Sequence, residues 1–195
     1  GYHKNYDTNV FEKVLINNLR YSSIPKINSK GFINKFNFLF KNVTTESDNS
    51  NEYSNDFRSQ NFGSILYDIS YPLKKEGNNF DNFLSGKASL MYSPNKNKNI
   101  KNLDRKIDIK NIFNKNRLGL SDSVEGGQSL TIGGEYKIND KQNNSILTAG
   151  LASVLRDKND EKLPISTTIN NKSSDIIGSF NFKPNKKFNL DYNFS

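Results

Sequence analysis

The stretch from Leu103 to Ile138 constrains the fold of this chain more than any other part of it. It begins as a polar segment and runs directly into residues that alternate between apolar and polar side chains. The apolar set is Leu130, Ile132, Gly134, Tyr136 and Ile138, and the polar set is Ser129, Thr131, Gly133, Glu135 and Lys137. Only an extended strand separates neighbours in this way. The sequence therefore predicts a β-strand with one side in water and the other against lipid or a protein core.

The same alternation recurs along most of the chain, with rings and branched side chains on one parity and short polar or charged side chains on the other. The predicted strands are Phe11–Ser23, Gly31–Lys41, Phe62–Pro72, Phe83–Pro94, Ser129–Ile138, Ser145–Arg156, Asp175–Lys183 and Phe188–Phe194. Polar connections separate them at Thr44–Asn55, Lys74–Asn79 and Pro184–Lys186, and only Leu103–Phe113 suggests a brief helical turn. About eight strands of roughly ten residues predict an all-β fold, an antiparallel meander.

One predicted strand, Ser145–Arg156, is apolar on both parities. Two interpretations fit it: the strand is buried on both sides, or it crosses a crowded part of a barrel lumen.

The composition favours a sheet with one wet face. Only 33% of the residues are hydrophobic, yet the chain has 14 Phe and 9 Tyr, and these rings fall in the alternating segments rather than in the loops. No apolar run approaches the ~20 residues of a membrane helix, and a closed sheet is the other structure that satisfies its backbone in lipid. The chain begins at Gly1 without a signal sequence and stops at Ser195 in mid-pattern. We therefore expect an internal piece of a large transmembrane β-barrel, an open or curled arc.

Several classes of function find no support. The chain has no cysteine and a single histidine, His3, so neither a thiolate metal site nor a Ser-His-Asp triad can be assembled. The formal charge of +8 is scattered over turn-like segments without a stacking motif, which argues against nucleic acid and favours an anionic lipid headgroup. We expect no catalytic residue, metal or cofactor.

The long loop at about 95–127 concentrates the remaining chemistry. Its carboxylates are Asp104, Asp108, Asp122 and Glu125, and they alternate with Lys106, Lys110, Lys115 and Arg117. A calcium loop needs several oxygen ligands at short fixed spacing, so a salt-bridged loop is favoured over a cation or acid-base site. We expect Arg117 to pair with Asp122 or Glu125, and Gly126 and Gly127 to allow a sharp turn where a side chain would clash.

Parity also assigns charged residues to the wet face. The candidates for a lumen-facing position are Lys87, Glu135, Lys137, Lys183 and Lys187. By the same alternation, we also expect Lys35 on the wet face. Such lysines offer a cationic wall to an anionic amphiphile, and ordinary solubility of a wet face explains them equally well.

The segment Asn116 to Tyr136, NRLGLSDSVEGGQSLTIGGEY, resembles the LptD family of lipopolysaccharide-assembly outer-membrane proteins in its α-proteobacterial form. The matching positions are Asn116, Arg117, Asp122, Val124, Glu125, Gly126 and Gly127. Shorter pieces occur in the family's order at Tyr71–Leu73, Ala88–Pro94, Asp104–Arg105, Asp108–Phe113, Leu163–Pro164 and Ser173–Gly178. The resemblance runs from about residue 62 to 195, while the first sixty residues match only in being strand-like.

The resemblance implies that residues 1–195 are one partial outer-membrane β-barrel domain without catalysis. It implies lipopolysaccharide and outer-membrane lipid as ligands, and an LptE-like lipoprotein and the periplasmic Lpt bridge as partners. The chain departs from the family pattern in lacking the periplasmic jelly roll, the cysteines and the two gate strands. A porin-like or uptake barrel is the rival in the same membrane, and a secreted β-sandwich for adhesion or carbohydrate binding is the rival from another class.

Overall fold

The computed structural model describes residues 2–5, 9–105, 107–185 and 187–195, and of residues 2–5 only the backbone. The side chain of His3 therefore lies outside the described part. The strands are β1 (Tyr2–Asn5), β2 (Val10–Ser22), β3 (Lys26–Ile27), β4 (Ile33–Asp48), β5 (Arg58–Glu76), β6 (Phe80–Ser93), β7 (Gly127–Asp140), β8 (Ser145–Arg156), β9 (Ile177–Asn185) and β10 (Phe188–Phe194). The one regular helical element among these residues is a 3-10 turn at Ile165–Thr167.

All ten strands belong to one antiparallel sheet in the order β1-β2-β4-β5-β6-β7-β8-β9-β10, with β3 paired to β4. The sheet is open, since its path ends at β1 and β10. The all-β meander is thereby confirmed, and the eight predicted strands are joined by the short strands β1 and β3.

The two faces of the sheet differ as the alternation predicts. One face, called the outer face, exposes more than a third of Phe36, Ile65 and Leu90. The opposite inner face carries polar residues such as Ser64 and Ser89, which are buried. The described residues hold no second sheet that seals the rings of the outer face. This arrangement differs from that of a β-sandwich, in which such rings would be buried between two sheets.

Several strands extend beyond their predicted ends. β4 continues to Asp48, because Thr44 pairs with Ser59 and Asn42 donates a hydrogen bond to Asn61 Oδ1 at 2.8 Å. Polar side chains do not end a strand when the next strand offers them partners. The loop predicted at 44–55 is therefore observed at 49–57. Pro184, which was predicted in a turn, belongs to β9.

The two ends of the sheet carry connections of different length. At one end, called the turn end, residues 77–79 and 141–144 connect strands directly. At the opposite loop end lie residues 94–126, called the central connection, and residues 157–176, called the second connection. In the described residues no helix is long and apolar enough to cross a membrane. The helical turn predicted within 103–113 is reduced to a hydrogen bond from Ile112 N–H to Asp108 O at 2.9 Å and adjoining turns.

A hydrophobic core lies on the inner face beneath the central connection. Its buried members are Ile100, Ile107, Ile112, Leu118, Leu120, Ala152, Val154, Leu163, Ile169 and Ile177. They come from both connections and from the inner faces of β8 and β9. A Cβ added at Gly150 of β8 would lie 3.0 Å from Ile109 of the central connection. The inner face of β8 is thus covered by the central connection, whereas Leu151 and Leu155 on its outer face are exposed. The strand is therefore not buried on both sides.

Candidate functional site: a clamped connection on the inner face

The central connection crosses the inner face of several strands rather than projecting from the sheet. Its Ile107 belongs to the same buried hydrophobic cluster as Ile177 of β9. Farther along, the Lys87 ammonium of β6 lies 6.0 Å from the ring centroid of Phe113. The polar loop expected from the sequence is therefore a folded layer with an apolar underside.

A buried ionic cluster fixes the end of this connection to β7 and β8. Arg117 donates from Nε to Glu125 Oε2 at 2.8 Å and from Nη2 to Glu125 Oε1 at 2.5 Å. Arg156, the last residue of β8, donates from Nη1 to the same Oε1. The three side chains are at most 2% exposed. Two guanidinium groups thus share one carboxylate away from water.

The cluster is completed by neutral acceptors. Arg117 donates from Nη1 to Thr131 Oγ1 and from Nη2 to Ser129 Oγ, each at 2.9 Å. Arg156 donates from Nη2 to the carbonyl of Gly126 at 2.6 Å. The inner-face hydroxyls of β7 therefore orient the arginine that holds the connection, and hydrogen bonds of this kind offset the cost of burying charge.

Burial alone would raise the pKa of Glu125, but the charges of and hydrogen bonds from Arg117 and Arg156 hold that pKa below its ordinary value. Glu125 is therefore ionised in the folded protein at neutral pH, and the cluster keeps a net positive charge.

The second attachment point is Lys41 of β4. Its ammonium donates to the carbonyl oxygens of Leu120 at 3.0 Å, Ser121 at 2.7 Å and Ser123 at 2.9 Å. Asn116 closes the same turn from within, because its Nδ2 donates to Leu120 O at 3.0 Å and its Oδ1 accepts from Leu120 N–H at 2.9 Å. Residues 116–123 are thus held by a strand far from them in sequence.

Asp122 pairs with Lys98 and not with Arg117. Lys98 Nζ donates to Asp122 Oδ2 at 2.6 Å, and Tyr53 Oη donates to the same oxygen at 3.1 Å. Burial would raise the pKa of Asp122, yet the bonds from Lys98 and Tyr53 hold it below its ordinary value. Burial and the neighbouring Asp122 carboxylate together raise the pKa of the Tyr53 phenol.

The two glycines occupy positions without room for a side chain. A Cβ at Gly126 would overlap the backbone carbonyl of Asn95. Gly127 has φ +92°, a conformation that L side chains rarely adopt, and a Cβ there would lie 3.0 Å from Arg156 Nη2. Gly126 N–H donates to Asn97 Oδ1 at 2.7 Å, which ties the two ends of the central connection together.

The charged residues assigned to the lumen lie at separate places. Lys137 pairs with Glu135 at 2.9 Å on the inner face of β7, and Lys183 is exposed on β9. Lys187 lies in the turn before β10, so alternation assigns it to no face. These residues do not converge on a single site.

Sequence reasoning missed Lys41, Asn97 and Arg156 as members of the site. Their partners lie between 29 and 82 positions away, beyond any local pattern. A signal for the buried layer was present, however, because residues 100–124 contain more Ile and Leu than a solvated loop needs.

The contacts of this site hold a segment in place. The described residues contain no group of three or more His, Cys, Asp or Glu that could hold a metal ion. The chemistry of the site is the clamping of a connection across the inner face of a sheet.

Comparison with known families agrees with this architecture. The family model described as LptD, LPS transport system D, matches residues 22–195, which extends the similarity well ahead of Phe62. No curated protein matches the chain significantly. The matched family is a transport family and not a catalytic one. Because the match covers most of the sequence and the sheet has the expected topology, the chain belongs to the LptD family.

Proposed function

We propose that this chain forms part of the wall of an outer-membrane barrel that delivers lipopolysaccharide to the outer leaflet, with the central connection seated in the lumen as a plug. The observation that carries the proposal is the two-sided sheet of an LptD-family chain: exposed rings on one face, and buried polar residues beneath a clamped layer on the other.

The outer face suits contact with hydrocarbon. The rings and branched side chains of neighbouring strands lie side by side, as with Tyr67 opposite Leu90, and Leu90 opposite Leu130. An apolar band facing outward and alternating with polar residues inward is the pattern of membrane barrels. Such barrels have short periplasmic turns and longer extracellular loops, so the loop end is assigned to the cell exterior.

The inner face offers a path along which the glycolipid could pass. Asn37 donates to Asp68 Oδ2 at 2.7 Å, and Ser89 donates to Asp68 Oδ1, which leaves a hydrogen-bonded polar wall on β4, β5 and β6. A polar wall suits the sugars and phosphates of a glycolipid, while the acyl chains need an apolar path. The candidate lumen-facing residues Lys87, Glu135, Lys137 and Lys183 belong to this wall, and the motif residues 116–127 position the plug.

Membership of the LptD family also supports a proposal about the partners of this chain. An LptE-like lipoprotein and the periplasmic Lpt bridge are proposed by analogy with the family, together with an outer-membrane location. A porin-like pore is the weaker candidate, because the buried ionic cluster at Glu125 holds a large segment across the inner face, and a passive pore needs open space there.

Cysteine labelling in the native membrane tests the two-sidedness. Single cysteines are placed at Leu90 and Ile132 on the outer face, and at Lys87 and Glu135 on the inner face, which are less deeply buried than Ser89 and Thr131. We expect a lipid-soluble maleimide, and not a water-soluble one, to label the first pair. Photo-crosslinkers at the second pair should capture lipopolysaccharide during transport. Equal labelling of both pairs by the water-soluble reagent, or the absence of any lipopolysaccharide adduct at the inner pair, contradicts the proposal.

A further inference from the structure

A cavity of about 310 Å³ lies at the loop end, between the tips of β6, β7 and β8 and the starts of both long connections. Its lining includes Tyr92, Gln128, Lys96, Arg156, Lys158 and Lys162. It differs from the buried contacts that clamp the central connection, although Arg156 and Asn97 belong to both.

The lining carries more positive than negative charge. Four cationic side chains face two carboxylates, Asp157 and Asp160. Asp160 is already engaged, because its Oδ2 accepts from Asn97 Nδ2 at 2.7 Å and its Oδ1 accepts from the backbone N–H of Lys162. Among the described residues, the ammonium groups of Lys96, Lys158 and Lys162 have no ion-pair partner.

Arg156, at the floor of the cavity, adds to this excess of positive charge. It shares the Glu125 carboxylate with Arg117, so one carboxylate serves two buried guanidinium groups. Its Nε finds no acceptor among the described residues. The floor of the cavity is therefore positively charged, and an anion placed above it gains from that field.

The position of the cavity identifies the kind of anion. Tyr92 and Gln128 are cross-strand partners on the outer face, and Tyr92 is 48% exposed. Ser93 and Arg156 lie on the inner face. The cavity therefore spans the strand tips and reaches the outer face beside an aromatic ring, and rings of this kind mark the level of lipid headgroups on a membrane barrel.

We propose that this cavity binds a phosphate group, and that on the membrane the phosphate belongs to the headgroup of an outer-leaflet lipid. A phosphate monoester carries close to two negative charges and accepts several charge-assisted hydrogen bonds, which three free lysines can donate. The assignment of a lipid source rests on the proposed function, since it requires the loop end to lie at the outer leaflet.

The test replaces the three lysines together, as Lys96→Gln, Lys158→Gln and Lys162→Gln, in the complete protein with its native flanking sequence. A matched control replaces three exposed lysines at the turn end, Lys26→Gln, Lys30→Gln and Lys75→Gln, so that both variants lose the same charge. The proteins are placed in phosphatidylcholine nanodiscs that contain either diphosphoryl lipid A or lipid A without phosphates. Native mass spectrometry counts the lipid A that each protein retains.

We expect the first variant to retain diphosphoryl lipid A about tenfold less than the control variant, because it lacks the three ammonium groups that donate charge-assisted hydrogen bonds to the phosphates. Retention of dephosphorylated lipid A should be equal in both. If only inorganic phosphate, titrated calorimetrically, binds with the same dependence on the lysines, the phosphate site stands and its ligand is free phosphate. Equal retention by the two variants overturns the inference. The inner-face crosslinks at positions 87 and 135 report separately on the proposed function.

Discussion

Arg117 and Glu125 are joined by two hydrogen bonds of 2.8 and 2.5 Å, and both side chains are almost completely removed from water. The two residues lie eight positions apart in the central connection. Because Arg156 of β8 joins the same carboxylate, the pair also fastens the connection to the wall. The predictions below follow from this cluster and from the second attachment at Lys41.

Replacing the shared Glu125 carboxylate is expected to loosen the central connection without unfolding the sheet. Glu125→Gln leaves two buried guanidinium groups without a counter-charge, and breaking a buried pair costs about 3–5 kcal/mol. Hydrogen exchange in residues 116–126 should accelerate accordingly, while the amides of β5 and β6 stay protected. The control is Glu46→Gln, whose ion pair with Lys13 is at least half exposed and should change exchange very little. Unchanged protection of residues 116–126 in Glu125→Gln would contradict the clamping role.

The connection should also loosen in acid. The folded-state pKa values of Glu125 and Asp122 are both lowered, so their contribution to stability is fully present above the ordinary values of 4.5 and 3.8 and is lost as the pH falls through the depressed ones. A spin label at the exposed Lys110 position should gain mobility over that acidic range and remain restrained at neutral pH. Glu125→Gln should show the mobile spectrum at neutral pH already. A label whose mobility stays the same from neutral pH down to the pH at which the sheet itself unfolds would exclude this linkage.

Removing the lysine that holds the plug should open the barrel to solutes. Lys41→Met leaves the carbonyls of Ser121 and Ser123 without this donor, and Leu120 O keeps only the bond from Asn116 Nδ2. Each unsatisfied buried group costs about 1–3 kcal/mol. We expect faster uptake of a bulky hydrophilic antibiotic by cells that carry the variant. Lys35→Met, on the same strand and face, is the control. If both variants leave uptake unchanged, the connection does not block the lumen.

A side chain at Gly126 should displace the start of β7. The Cβ of Gly126→Ala would overlap the backbone carbonyl of Asn95, which cannot rotate away as a side chain could. We expect a loss of about 1–3 kcal/mol, measured by urea unfolding in detergent. The control is Gly86→Ala, where an added Cβ meets nothing within 4 Å. Equal unfolding midpoints for the two variants would show that the backbone at Gly126 adapts freely.

The sheet could be predicted from the sequence, because alternation is a local property that strand neighbours do not alter. Phe36 and Leu90 lie on the face assigned to them, and β8 has the predicted bounds. The clamp could be predicted only in part. Arg117 and Glu125 stand close in sequence, whereas Arg156 and Lys41 reach the connection through the strand order. Pairing across such distances depends on tertiary structure and leaves no periodic trace.

The seating of the central connection has a consequence for the order of assembly. Lys41 lies about eighty positions ahead of the carbonyls that it binds, and Arg156 lies 31 positions beyond Glu125. Both anchors must be in place before the central connection can be held by them. In the proposed barrel, the connection is therefore expected to be seated only after β4 and β8 have paired with their neighbours, so closing the lumen is expected to be a late step of assembly.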